Sequence, residues 1–146
     1  MLKGITILFL LLNTLMGLGQ SNPRDEFNEA KRLMSNQQLR SAMSAFEVLK
    51  TDSQLGVYAY FFKGLCYSKS ADYKRAIDNW EQIEKKFPNW PEQDEVFYWL
   101  TLSYFELNES AVAFNYLDRY NALASDSEFS SRVINKYCVD LSVTDL

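Results

Sequence analysis

The feature that most constrains the fold of this chain is an internal repeat, which runs through the segments 26–50, 60–88 and 97–123. Four positions recur in each segment: a small residue, a larger one three residues later, a second small residue, and a large one four residues after it. They are occupied by Ala30, Gly64 and Thr101, by Leu33, Tyr67 and Tyr104, by Ala42, Ala76 and Ala113, and by Phe46, Trp80 and Leu117. At all four positions the offset is 34 residues between the first two segments and 37 between the last two. This constant offset predicts a stack of similar units that bury one continuous core.

The low content of glycine indicates that these units are helical. The chain has five glycines, and three of them lie in the first twenty residues, whereas hairpin-rich folds need many turn residues with positive φ. Asn22 and Pro23, with acidic residues in the next turn, are typical of a helix start. We therefore predict an all-α chain with helices over 23–35, 39–50, 54–69, 73–87, 93–107, 110–121 and 127–140. The last helix carries apolar residues at helical spacing, and we expect it to cover the open end of the stack.

The middle segment resembles a tetratricopeptide repeat, a family whose pattern combines a large aromatic residue, Leu-Gly, Tyr, then Ala-x-x-x-Phe and a terminal Pro. The residues that carry the resemblance are Tyr60, Gly64, Leu65, Cys66, Tyr67, Asp72, Tyr73, Ala76, Trp80 and Pro88. The segment departs from the family pattern at Lys63, where Leu is usual, and at Ala71, where Gly is common. The first segment has Glu26 and Glu29 at its two leading apolar positions, as expected for a capping repeat with one face in water.

The resemblance implies a right-handed helical-repeat solenoid of about three tetratricopeptide-like helix pairs plus a C-terminal capping helix. We assign this repeat domain to residues 20–141 and a polar tail to 142–146. The three residues by which the second offset exceeds the first fit best in the loop between Pro88 and Pro91. The arrangement also resembles the N-terminal repeat region of larger exported bacterial envelope proteins.

Residues 1–19 have the pattern of a secretory signal peptide. One basic residue, Lys3, precedes an apolar run over 5–12, and the small residues Gly17 and Gly19 follow. The alternative is an N-terminal membrane anchor, but the apolar run is shorter than the roughly 20 residues that a spanning helix needs. We therefore expect cleavage after Gly19 and an exported protein, periplasmic or secreted, without a stable membrane span.

The two cysteines leave their redox state open. Cys66 and Cys138 are 72 positions apart, so they form neither a CxxC redox motif nor a zinc knuckle. Export would allow a disulfide between them. The alternative is a pair of free thiols on apolar helix faces, where cysteine behaves as a small hydrophobic residue.

The composition argues against several classes of function. The chain has no histidine, which removes Ser-His-Asp and Cys-His nucleophiles and histidine-ligated metals. Its net charge of −4 disfavours nucleic-acid binding, which requires the neutralisation of phosphates. The acidic pairs at 25–26 and 94–95 lie in the first turns of predicted helices, where they interact with the helix dipole. We therefore expect no catalytic residue, metal or cofactor.

The family resemblance implies that the first helix of each pair lines a concave surface. The positions that would line it are Phe27, Lys31, Met34, Tyr58, Phe61, Leu65, Lys69, Glu95, Tyr98, Leu102 and Phe105. Aromatic side chains there are good anchors for a partner because they bury a large area with little loss of rotamer entropy. We predict a partner-binding groove formed by Lys31, Phe61, Leu65, Lys69, Tyr98, Leu102 and Phe105. The alternative is that the aromatic residues are core and pack against the last helix.

Two functions fit this reading of the sequence. In the first, the chain is an exported, non-enzymatic scaffold or adaptor that binds another protein or a peptide by apolar burial on a preformed surface. In the second, it is a truncated or split N-terminal adaptor module of a larger periplasmic solute-binding or envelope-assembly protein.

Overall fold

The computed structural model describes residues 22–124 and 127–138, without the side chains of residues 127 and 138. The predicted signal peptide and polar tail lie outside the described residues. Within them the chain folds into seven helices and no strand: α1 (Pro23–Ser35), α2 (Leu39–Leu49), α3 (Gly56–Lys69), α4 (Tyr73–Lys86), α5 (Gln93–Glu106), α6 (Ser110–Leu123) and α7 (Ser127–Cys138). The predicted all-α fold is confirmed, and the first six helices begin and end within two residues of the predicted positions.

The helices form three pairs that stack on one another. Helix α1 packs on α2, α3 on α4, and α5 on α6, and the pairs are joined by contacts of α2 with α3 and of α4 with α5. Helix α1 also contacts α3 directly, and α7 packs on α6. The first helices α1, α3 and α5 thus form one layer and the second helices α2, α4 and α6 the other. This is the predicted helical-repeat solenoid.

The recurring positions of the sequence repeat are the points of closest packing. The small and the second large positions are buried in all three units: Ala30, Gly64, Thr101, Ala42, Ala76, Ala113, Phe46, Trp80 and Leu117. In the second unit a Cβ atom at Gly64 would lie 2.6 Å from Cε2 of the fully buried Trp80. Trp80 Nε1 donates a hydrogen bond to the carbonyl oxygen of Phe61 at 3.2 Å. Glycine at position 64 is therefore what makes room for the indole.

The turns within the three pairs are also equivalent. Each contains one non-glycine residue in the left-handed region, Gln37, Ala71 or Asn108, with φ values of 60°, 56° and 60°. The next residue donates its N–H to a carbonyl five residues back, in the pairs Gln38–Leu33, Asp72–Tyr67 and Glu109–Tyr104, at 2.9 Å in each case. This hydrogen bond is that of a Schellman helix end, which normally uses glycine in the left-handed position. An alanine side chain is strained there, which explains why the family favours Gly at position 71.

The core consists of two clusters. The first lies between α1, α2 and α3 and contains Phe27, Phe46 and Cys66. The second extends from α3 to α7 and includes Trp80 and Leu100. Cys66 is a free, fully buried thiol, and burial raises its pKa to about 11. Cys66 thus packs as a small apolar residue, and the side chain of Cys138 lies outside the described residues.

Candidate partner-binding site

Helix α3 presents an apolar stripe in the layer of first helices. Tyr58, Phe61, Leu65 and Lys69 are spaced by three or four residues and therefore lie on one face of the helix. Tyr58 is 36% exposed, Phe61 and Leu65 are half-buried, and Lys69 is exposed. The stripe offers aromatic and aliphatic area with one cation at its C-terminal end.

Trp90 extends this stripe from the loop between α4 and α5. Its ring centroid lies 5.6 Å from those of both Tyr58 and Phe61, and it is half-buried. We call Tyr58, Phe61, Leu65 and Trp90 the aromatic patch. The three extra residues of the second offset are predicted to lie in this loop, but Trp90 is not among the predicted site residues. The available signal was a tryptophan in a lengthened loop between two prolines.

Helix α1 supports the patch at one side. The ring of Phe27 is buried edge-on against Phe46 and Phe62, at centroid distances of 5.7 and 5.5 Å, and it also contacts Tyr58 at 6.4 Å. Phe27 therefore belongs to the core beneath the patch. The Nζ atom of Lys31 lies 5.3 Å from the Phe27 ring centroid, in the geometry of a cation–π contact. Lys31 thus adds a second cation at the border of the aromatic patch.

On α5, the aromatic side chains of the candidate groove pack against α7. Tyr98 packs on Phe129 with ring centroids 4.2 Å apart, and Phe105 stacks on Tyr137 at 4.5 Å. Phe105 is only 4% exposed. Leu102 is half-buried and, with Tyr98, lines a cavity of about 170 Å³ beneath α7. Tyr98 and Phe105 therefore pack against the last helix, as in the alternative in which the aromatic residues are part of the core.

Polar contacts also hold α7 in place. The carboxylate of Glu106 on α5 accepts hydrogen bonds from the hydroxyl of Tyr137 at 2.7 Å and from Nζ of Lys136 at 3.2 Å. The hydrogen bond from Tyr137, and secondarily that from Lys136, lowers the pKa of the Glu106 carboxyl below its usual value.

The seven residues predicted to form one groove do not lie on one open surface. Three of them share the open face of α3 (Phe61, Leu65 and Lys69), and three lie against α7 (Tyr98, Leu102 and Phe105). Lys31 lies on α1 over the Phe27 ring.

The described residues contain no group of three or more His, Cys, Asp or Glu side chains placed to hold a metal ion. None of the helices in residues 22–124 and 127–138 has the length and apolar character needed to cross a bilayer. The acidic residues at 25–26 and 94–95 lie in the first turns of α1 and α5, as predicted. The groups that this surface offers to a partner are aromatic and aliphatic side chains, with Lys31 and Lys69 beside them.

Stacked helix pairs with equivalent turns and equivalent buried positions define a helical-repeat protein. Residues 58–89, which include α3 except its first two residues, all of α4 and part of the following loop, match the family model described as tetratricopeptide repeat. This match identifies the second helix pair as a tetratricopeptide repeat. The matched residues include Tyr58, Phe61 and Leu65 of the aromatic patch, and Trp90 follows directly after them. No curated protein is similar enough in sequence to count as a match.

Proposed function

We propose that this protein is a non-enzymatic scaffold or adaptor that binds another protein or a peptide through the aromatic patch. The observation that carries the proposal is a group of contacting aromatic rings on one face of α3 and the following loop. Tyr58 is 36% exposed beside half-buried Phe61 and Trp90, whereas Tyr98 on α5 packs on Phe129 of α7. Large aromatic side chains with restricted rotamers are the residues that most often dominate binding energy at interfaces.

The surroundings of the patch favour a particular type of partner segment. Lys31 and Lys69 lie at its borders, one on α1 and one at the end of α3. A segment with apolar residues at its centre and acidic residues beside them would bury its apolar side chains on the rings. Its carboxylates would then face the lysines, which adds specificity and speeds association.

The binding test uses an exposed ring so that loss of binding is separable from loss of fold. We expect Tyr58→Ala to weaken capture of the partner strongly, while the circular-dichroism melt stays close to that of the unmodified protein. Trp90→Phe keeps an aromatic ring and should retain capture. Val48→Ala is the matched control, because Val48 is 69% exposed on α2 in the other layer. Equal loss of capture with the Val48 variant would contradict the proposal.

We further propose that the protein is exported, on the basis of the signal-peptide pattern in residues 1–19. The test is the intact mass of the native protein from the envelope fraction of its source. Removal of the signal from the 17.0 kDa chain should leave a species of about 15 kDa. An uncleaved species of 17.0 kDa would contradict cleavage and would support the alternative of an N-terminal membrane anchor. A much heavier species would support the alternative that the repeats are the N-terminal adaptor of a larger periplasmic solute-binding or envelope-assembly protein.

A further inference from the structure

A second cleft lies in the other layer, away from the aromatic patch. It runs between α2 and α4 over α3, and its cavity volume is about 730 Å³. Its charged and aromatic lining consists of Arg40, Glu47, Lys63, Tyr67, Asp72 and Arg75. We call it the charged cleft. Its volume is within the usual range of sites that hold a ligand or a few residues of a peptide.

Both carboxylates of the charged cleft are already paired with cations. Glu47 on α2 forms ion pairs with Lys63 on α3 and, at 3.0 Å, with Lys50. Asp72 pairs with the guanidinium of Arg75 and also accepts the backbone N–H of Arg75 at 3.3 Å. The bond from Lys63 lowers the pKa of the Glu47 carboxyl, and the bond from Arg75 lowers that of Asp72. Both carboxylates are therefore neutralised by cations of the protein itself, and neither is left free to bind a cationic ligand.

The excess charge of the cleft is cationic. Arg40 is exposed at its edge and makes no ion pair within residues 22–124 and 127–138. On the floor, the guanidinium of Arg75 lies 4.8 Å and Nζ of Lys63 5.5 Å from the ring centroid of half-buried Tyr67. Three cations against two paired carboxylates leave one guanidinium, whose planar fork binds a carboxylate through two parallel hydrogen bonds.

The next repeat provides an internal comparison. The positions equivalent to the five charged residues of the cleft, one repeat further along the chain, are Lys74, Glu81, Leu100, Glu109 and Val112. That set contains one cation and two carboxylates, so the charge is reversed. There Tyr104, the equivalent of Tyr67, donates its hydroxyl hydrogen to Glu81 at 2.8 Å. Because the same fold accommodates both charge patterns, packing does not require the cations of the charged cleft. Lys63 in particular stands where the family has an apolar residue.

We propose that the charged cleft is a second binding site, which takes an acidic peptide segment of a partner protein. One Asp or Glu carboxylate of the segment pairs with the guanidinium of Arg40, and its neighbouring residues lie over Tyr67 between α2 and α4. This site does not depend on the aromatic patch, so either proposal can fail without the other.

The test measures the fluorescence anisotropy of a labelled peptide of Asp, Glu and Gly, which has no apolar side chain for the aromatic patch to bind, added to the full chain. We expect this peptide to bind and the affinity to fall as salt is raised. The same peptide with Asn and Gln should not bind. Arg40→Ala should weaken binding about tenfold, the contribution of one charge-assisted pair. Lys63→Leu should also weaken binding and remain folded, because Lys50 still neutralises Glu47.

The matched control is Lys74→Ala, the same helix position one repeat later, which should bind the acidic peptide like the unmodified protein. Tyr58→Ala should also leave this binding unchanged, because Tyr58 belongs to the aromatic patch. The proposal is overturned if the Asn and Gln peptide binds equally well, or if Lys74→Ala is as damaging as Arg40→Ala. It is also overturned if sedimentation shows that Arg40→Ala acts by dissolving contacts between copies of the chain.

Discussion

The second and third repeats fill the same space in their cores with different residues. In the second, Gly64 leaves room for the indole of Trp80. In the third, Thr101 and the smaller Leu117 occupy the equivalent positions, and all of them are buried. The Thr101 hydroxyl donates to the carbonyl oxygen of Phe97 at 2.8 Å and so is not left unpaired. The comparison teaches that the repeat preserves the combined volume of a position pair, while the size of each partner can vary.

The largest effect should come from exchanging one member of this pair. Gly64→Thr would place a side chain against Trp80 and should lower the free energy of unfolding by about 3 kcal/mol. Trp80→Leu alone leaves a cavity and should cost about as much. Together they reproduce the pair of the third repeat, so the double variant should recover about 2 kcal/mol relative to the sum of the single variants. Urea denaturation of the four proteins measures this coupling, and strict additivity would contradict the idea of a preserved pair volume.

A smaller effect should come from the turns, where Ala71 and Asn108 are equivalent. Both are in the left-handed region, but asparagine tolerates that conformation better than alanine. Ala71→Gly should therefore raise the free energy of unfolding by about 1 kcal/mol. Ala122→Gly, at an exposed position of α6, should instead lower it by up to about 1 kcal/mol. Thermal melts of both variants check the sign, and destabilisation by Ala71→Gly would show that Ala71 is not strained.

The charges at equivalent positions should matter less to stability. Lys63→Leu gives the second repeat the apolar residue found at Leu100 in the third. Because Glu47 keeps Lys50 as a partner, the free energy of unfolding should change by less than about 1 kcal/mol. Arg40→Ala should change it still less, since Arg40 is exposed. Denaturant midpoints measure both, and a large loss with Lys63→Leu would mean that the ion pair of Lys63 with Glu47 is required for the fold.

The smallest effect concerns the covering of the third repeat by α7. Tyr137 and Lys136 lower the pKa of the Glu106 carboxyl in the folded state. The contribution of these two hydrogen bonds to the stability of the fold is therefore fully present above the usual pKa of a glutamate. It is lost as the pH falls through the lowered pKa of Glu106 in the folded state. Between pH 7 and pH 3 the unmodified protein should lose more stability than Glu106→Gln. The difference should be below about 1 kcal/mol because the carboxylate is partly exposed. Equal losses would exclude a contribution of this contact.

Most of the fold could be predicted because it depends on the spacing of residues along one chain. The recurrence of small residues at Ala30, Gly64 and Thr101 located the helix pairs, and the structure confirms that these positions are buried. The candidate site depends instead on how separate elements lie in space. Nothing in the local pattern around Trp90 indicates that its loop bends over α3. Likewise, Phe105 has the same spacing whether solvent or Tyr137 covers it.

The pairing of Lys63 with Glu47 illustrates the same limit of local patterns. The two residues are 16 positions apart and lie on helices of different repeats. A departure from the family residue at position 63 was visible in the sequence, but its partner on α2 follows only from the packing of α2 against α3. The opposite net charges of the two equivalent clefts can be seen only when the packing shows which residues line each cleft.

The buried thiol of Cys66 makes it possible to time the opening of one part of the stack. Its pKa of about 11 and its full burial among α1, α2 and α3 protect it from alkylating reagents. In a Cys138→Ser variant, the rate of alkylation at Cys66 would therefore report how often the first two repeats open far enough to expose the thiol. Comparing that rate with the rate of global unfolding would establish whether the N-terminal units come apart before the rest of the chain.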